Sequence, residues 1–189
     1  MACLKKEFDI PLSVDTYKSA VAEAAIQAGC DLINDIWGLQ YDEKMAGLIA
    51  DAGVSCCLMH NREKIDYRDF LPDCMADMRK IIETAKVAGI AEDKMILDPG
   101  VGFCKTLEQN LMVMKHLNYF NQFGYPVLLG TSRKSMIGLT LDLPVDQRVE
   151  GTITTSVWAV QAHYGFVRVH DVAANYRAVR MAEAIMNAQ

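Results

Sequence analysis

Residues 94–106 read KMILDPGVGFCKT, and this stretch decides the fold. Its first part, Lys94–Asp98, is short and apolar with a carboxylate at its end, as a strand buried on both faces would be. Pro99 and the glycines at 100 and 102 then fix a tight turn and let backbone approach a ligand. Thr106, three residues ahead of Gln109, is a capping-box signature that predicts a helix over Leu107–Phe123. A strand, a polar turn and an amphipathic helix thus succeed one another.

Working outward, the same unit recurs along the chain. Strands are predicted at Pro11–Asp15, Asp31–Ile36, Val54–His60, Pro126–Gly130 and Phe166–His170. Helical spacing predicts Tyr17–Ala28, Glu43–Ala52, Asp69–Ala88, Asp146–Tyr164 and Val172–Ala188. Asp42 is the expected N-cap of Glu43–Ala52. Met75, Met78, Ile82 and Ala85 make one apolar stripe. Gly29, Gly53, Gly89, Gly124 and Gly165 each follow a helix, where a left-handed residue is wanted. Six strand–helix units with no composition break read as a single α/β domain over 1–189 with a parallel sheet.

Every one of these strands ends in a polar or glycine-bearing turn. A barrel gathers all its strand ends on one face, whereas an open sheet concentrates them at a switch point. The pattern therefore favours a TIM-type (β/α)8 barrel. Such a barrel takes eight strands and about 250 residues. The expectation is a partial barrel lacking its first two β/α units, with Met1–Asp9 as the tail of a preceding helix. Open edges would then leave the isolated chain prone to self-association and impaired in activity.

The chain of 189 residues has a net charge of −5, which argues against a nucleic-acid or anionic-membrane binder. No apolar run is long enough to span a membrane, and the N-terminus lacks the apolar core of a signal peptide, so the cytoplasm is the expected location. None of the six cysteines forms a C-x-x-C pair, and most read as small core residues. Cys104 stands apart in the glycine loop, with no histidine nearby in sequence to activate it.

Several strand ends carry groups with chemical potential. Asp15 reads either as an N-cap or as an acceptor for the N–H edge of a heterocycle. Asn34 and Asp35 both suit a turn, but Asn34 lies in an otherwise apolar strand and a buried amide needs partners. Asp98 closes its strand and Phe103 offers a face to a flat ring. The glycine loop lacks P-loop spacing, which excludes a triphosphate site of that kind. Gly130–Ser135 (GTSRKS) brings a basic pair and hydroxyls to the start of a short helix, and suits either a solvated turn or an anion. Arg168 and His170 alternate onto one side of their strand and together make a phosphate clamp. His116 and His163 read as helix surface residues. His60 ends a strand and is not assigned to catalysis.

The ordered set SVDTYK, IND with Gly38, LMH, ILDPGVGFCKT, PVLLGTSRKS, the stretch Arg148, Glu150, Gly151 and Thr152, and RVHD resembles dihydropteroate synthases over essentially the whole chain. The resemblance implies an eight-stranded barrel and a transferase of folate biosynthesis. It would condense 6-hydroxymethyl-7,8-dihydropterin pyrophosphate with p-aminobenzoate and release pyrophosphate. It implies that Asp15, Asn34 and Asp98 hold the pterin edge, with Met59, Phe103, Gly130 and Lys134 around the ring. Arg168 and His170 would take the pyrophosphate, and Ser132, Arg133 and Ser135 the p-aminobenzoate. Asp98 and Lys134 would serve the chemistry. The family also implies Mg2+, held by an asparagine of a first strand that would precede Met1, so no metal ligand is assigned in this chain. A homodimer is a further implication. Cys104 replaces the family's loop glycine. The competing readings are a pterin-dependent methyltransferase, which would not need SRKS or RVHD, and a non-catalytic truncated remnant.

Overall fold

A computed structural model describes residues 1–188. The chain forms two compact units, Met1–Arg62 with Leu71–Asp98, and Glu63–Phe70 with Pro99–Gln189.

The first unit runs α1 (Ala2–Glu7), β1 (Ser13–Asp15), α2 (Ser19–Gln27), β2 (Leu32–Asp35), α3 (Met45–Ala52), β3 (Ser55–Met59), α4 (Phe70–Val87) and β4 (Met95–Asp98). Its strands pair in parallel in the order β1-β2-β3-β4, as helical connections between successive apolar strands require. The apolar stripe of α4 is where the spacing places it, with Met75, Met78, Ile82 and Ala85 all buried. Ile33, Cys56, Leu58 and Leu97 are fully buried strand residues. α1 falls within the segment read as a helix tail.

Register determines which side chains meet. Asp15 pairs with Asn34, Asn34 with Cys57, Cys57 with Ile96, and Met59 with Asp98. Register partners in a parallel sheet point to the same side, and alternate residues along a strand share a face. Asp15, Asn34, Cys57, Met59, Ile96 and Asp98 therefore occupy one face of the sheet at its C-terminal end.

The second unit runs α5 (Leu107–Lys115), α6 (Asn118–Asn121), β5 (Leu128–Leu129), α7 (Ser135–Leu141), α8 (Val149–Gln161), β6 (Phe166–Val167) and α9 (Val172–Met186). β5 and β6 pair in parallel. α8 packs against α9, each burying a small residue, Ala159 and Ala182, and a buried hydrogen bond joins them, in which the Ser156 hydroxyl donates to Asn175 Oδ1 at 2.8 Å.

The α/β class with parallel strands is as expected, and six strands are described in two sheets of four and two. Several boundaries differ. The helix predicted over Leu107–Phe123 breaks at His116 and Leu117 and resumes as α6; the Leu117 carbonyl accepts both the Phe120 N–H at 3.0 Å and the Tyr164 hydroxyl at 2.9 Å. The segment predicted from Asp146 opens as a single 3₁₀ turn, Val145–Gln147, before α8 begins. His163, not Gly165, takes the left-handed turn after α8, with φ 58°. His163 thus follows a helix and His116 caps one, so neither sits inside a helix. Asp42 does not cap α3. Its carboxylate instead accepts the backbone N–H of Ser19, the first residue of α2, at 2.8 Å, and that of Lys44 at 3.0 Å. No helix among the described residues is long and apolar enough to cross a membrane.

Candidate active site

The first unit presents a polar face built on its strand ends. Asn34 is 8% exposed, and its Nδ2 donates to Asp15 Oδ1 at 2.8 Å. A carboxylate can only accept, so this bond fixes which way the Asn34 amide faces. Asn34 Oδ1 is thereby left buried with no hydrogen-bond partner. Leaving a buried acceptor unmet costs about 1–3 kcal/mol, and native structures seldom keep one without a reason. Asp15 is exposed and does not cap α2, whose N-cap is Lys18. Asp98 is buried at 5% exposure, and its carbonyl accepts the His60 N–H at 2.9 Å. Between these groups lies the buried thiol of Cys57. Burial first, then the charges of Asp98 and Asp15, push it well above the ordinary thiol range, so it stays neutral. Met59, 2% exposed, shares this face.

Asp35, the neighbour of Asn34, has a different task. Its two carboxylate oxygens accept the N–H groups of Trp37 at 2.9 Å and Leu39 at 2.8 Å. It builds the turn after β2, and burial raises its carboxyl despite those bonds. Gly38 in this turn has φ 56°, and a Cβ there would lie 2.7 Å from the Met59 carbonyl. The IND–Gly38 spacing is thus a backbone requirement beneath β3.

His60 is fully buried, and its Nε2 lies 3.2 Å from Asp77 Oδ2 on α4. Arg62 Nε donates to the same oxygen at 2.6 Å, and Lys80 stands 3.8 Å from the other. Burial alone would raise the Asp77 carboxyl. The hydrogen bonds from His60 and Arg62 outweigh it and hold the group at about 2, below its ordinary 3.8. A depressed folded-state value stabilises the fold above pH ~4, and that contribution is lost as pH falls toward 2. Solvent screens the pair, so the contribution is about 1 kcal/mol. Asp77→Asn is expected to flatten the pH dependence of urea unfolding between about pH 4 and pH 2 relative to the wild type.

The second unit presents the glycine loop and the SRKS turn. Lys134 Nζ donates to the Val101 carbonyl at 2.5 Å and lies 4.5 Å from the centre of the Phe103 ring. A Cβ on Gly102 would fall 2.8 Å from Lys134 Cδ, so that glycine makes room for the lysine. The loop is held from within. Buried Lys105 donates to the carbonyls of Gly100 at 2.9 Å and Phe103 at 3.1 Å. Asn110 Oδ1 accepts the Gly102 N–H at 2.6 Å while its Nδ2 donates to the carbonyl of Thr106. The capping box of Thr106 and Gln109 is present. Cys104 takes φ 44° with its carbonyl held by the Tyr67 hydroxyl at 3.2 Å. A left-handed cysteine is strained where glycine is not. Cys104→Gly is expected to raise stability by about 0.5–1 kcal/mol, seen as a higher urea midpoint.

Gly130 is buried and closes β5. Ser132 is buried, and its hydroxyl accepts the His170 backbone N–H at 3.1 Å and lies 2.9 Å from His170 Nδ1. Arg133 is turned onto Asp171 in a two-point pair, Nε to Oδ2 at 3.0 Å and Nη2 to Oδ1 at 2.7 Å. Its hydrogen bond holds the Asp171 carboxyl below the usual range. Ser135 is the exposed first residue of α7. Arg168 and His170 are exposed beyond β6, with the Arg168 N–H still bonded to Leu129 at 3.0 Å. The structure thus groups Asp15, Asn34, Met59 and Asp98 in one unit. In the other it joins Phe103 to Lys134 and Ser132 to His170. Lys105, Asn110, Asp171, Asp77 and Tyr67 were not singled out from sequence. Asn110 had a signal: with Val113 and Met114 it lies on the buried stripe of its helix, where a polar residue calls for a reason.

Residues 1–170 match the model of the family described as pterin binding enzyme. A dihydropteroate synthase from Clostridium beijerinckii is 52% identical over 184 residues, covering 97% of this chain and 68% of that protein. One from Bacillus subtilis is 48% identical, covering 97% of this chain and 65% of the relative. The chain therefore spans about two thirds of the length of these relatives. Among solved structures, a dihydropteroate synthase from Clostridium difficile in the presence of pteroic acid matches with a TM-score of 0.96 at 44% identity. That match covers 99% of this chain and 72% of the other. The chain belongs to the pterin-binding enzyme family, in its dihydropteroate synthase group, whose members are transferases of folate biosynthesis.

Proposed function

We propose that this chain joins 6-hydroxymethyl-7,8-dihydropterin pyrophosphate to p-aminobenzoate. The bond between the exocyclic carbon and the pyrophosphate oxygen breaks, the amine nitrogen bonds to that carbon, and the amine proton passes to solvent. The observation that carries this reading is Asn34 Oδ1, a buried acceptor with no donor among the described residues, on the same face as the acceptors Asp15 and Asp98. A pterin edge offers several coplanar N–H donors, the complement of such a set. Asp98, buried and acidic, stabilises the positive charge that develops on the pterin as pyrophosphate departs. Lys134 and Phe103 contact the ring, with Met59 and Gly130 as apolar and backbone walls. Arg168 and His170 take the pyrophosphate charge, and Ser132, Arg133 and Ser135 receive p-aminobenzoate. No strong general base is needed when the bond to the leaving group breaks first.

The same reading includes the (β/α)8 barrel, a cytoplasmic location, a homodimer and magnesium. Among the described residues no group of three or more His, Cys, Asp or Glu could hold a metal ion. The GTSRKS turn and the paired Arg168 and His170 support the synthase over a pterin-dependent methyltransferase. The test is pyrophosphate release that requires both substrates. It is run on the chain alone and on the chain joined to the part of the Bacillus subtilis relative that it does not cover. Release dependent on p-aminobenzoate is expected. Absence of turnover in both forms would overturn the reading.

A further inference from the structure

The stretch Arg148, Glu150, Gly151, Thr152 matches the family yet has no part in the reaction just described. Its geometry gives it one. Arg133 sits in the left-handed region at φ 59°, a conformation a non-glycine residue holds only when its surroundings impose it. Both of its backbone polar groups are taken by this stretch. The Arg133 N–H donates to the Thr152 hydroxyl at 3.2 Å, and its carbonyl accepts Arg148 Nη1 at 2.9 Å. Thr152 is fully buried, and its hydroxyl donates in turn to the Arg148 carbonyl at 2.9 Å. Arg148 Nε donates to the Leu143 carbonyl at 3.1 Å, which fixes the guanidinium plane.

Two glycines make room for this arrangement. A Cβ on Gly138 would lie 2.2 Å from Arg148 Nη2, and one on Gly151 would lie 2.3 Å from Ile137 Cγ2. The guanidinium thus lies against α7, and α8 approaches α7 closely. The flanking residues depend on the peptide so held. Ser132 on one side meets His170, and Lys134 on the other lies over Phe103.

We propose that Arg148 and Thr152 are positioning residues. They hold Arg133 in its left-handed conformation, so that Ser132 and Lys134 face their partners on either side. Without the clamp, Arg133 relaxes to an ordinary conformation and both neighbours turn away. This inference rests on the proposed synthase reading for its kinetic consequence, and on the chain's geometry alone for its structural one.

The experiment compares Thr152→Val, which keeps shape and removes the hydroxyl, with Thr152→Ser, which keeps the hydroxyl. Arg148→Lys, which retains charge but cannot reach two carbonyls with a planar fork, is the third variant. Each is assayed for KM and kcat with both substrates, and for amide hydrogen exchange at residue 133 in the unliganded chain. Thr152→Val and Arg148→Lys are expected to raise KM for p-aminobenzoate and for the pterin pyrophosphate at least tenfold. Thr152→Ser is expected to stay within threefold of wild type. Exchange at residue 133 should quicken at least tenfold in Thr152→Val and not in Thr152→Ser. A merely structural role would lower the active fraction, and hence kcat, with both KM values unchanged; that result overturns the proposal. Equal exchange in the Val and Ser variants overturns it too. A wild-type chain without turnover would count against the synthase reading, and the exchange comparison alone would then decide the clamp.

Discussion

Asn34→Leu is expected to weaken binding of the pterin pyrophosphate by about 100-fold or more while leaving the fold as stable as before, or slightly more stable. The two effects have one cause. Asn34 Oδ1 is a buried acceptor with no donor, so removing it relieves the unliganded chain of an unmet polar group. The bound heterocycle then loses its acceptor, and one of its N–H groups is left unpaired in a buried setting. The bond from Asn34 Nδ2 to Asp15 is lost as well, but Asp15 is exposed and water replaces it. Titration of pterin fluorescence and urea unfolding of the same sample check the pair. Binding unchanged, or binding lost only in step with folding, would show that Asn34 is packing and not recognition.

Gly38→Ala is expected to destabilise the chain by about 3 kcal/mol. Two costs add. The backbone at φ 56° is disfavoured for any residue with a Cβ, and that Cβ would stand 2.7 Å from the Met59 carbonyl and 2.8 Å from Ile81 Cδ1. Ile81 is fully buried and has little room to withdraw. The carbonyl belongs to the last residue of β3, so any relief displaces the strand end that carries Met59 and, through register, the neighbour of Asp98. Urea unfolding followed by circular dichroism measures the loss. A change below about 1 kcal/mol would mean that the turn after β2 is free to shift.

The sequence made the alternation of strand and helix legible because each apolar run and each amphipathic stripe is a local property. The stripe of α4 and the capping box of α5 fall where their spacing placed them. Asn34 was legible for the same reason, as a polar residue in an apolar strand. What was hidden depends on residues distant in the chain. His60 and Asp77 are 17 positions apart, and no local pattern links them. Arg133 is 38 positions from Asp171 and 19 from Thr152. Tyr164, whose hydroxyl reaches the Leu117 carbonyl at the break in the predicted helix, lies 47 residues on. Gly165 looked like the turn residue after α8, but His163 adopts that conformation, showing that a nearby glycine does not oblige the chain to turn there.

The central claim is that the face carrying Asp15, Asn34 and Asp98 reads a pterin by its N–H edge. The most direct measurement is a crystal structure of the chain with 6-hydroxymethylpterin pyrophosphate. The expected result is a ring nitrogen about 2.9 Å from Asn34 Oδ1, with the Asp98 carboxylate bonded to the same edge of the ring. A ring bound elsewhere, or one bound on this face with Asn34 Oδ1 still lacking a donor, would contradict it.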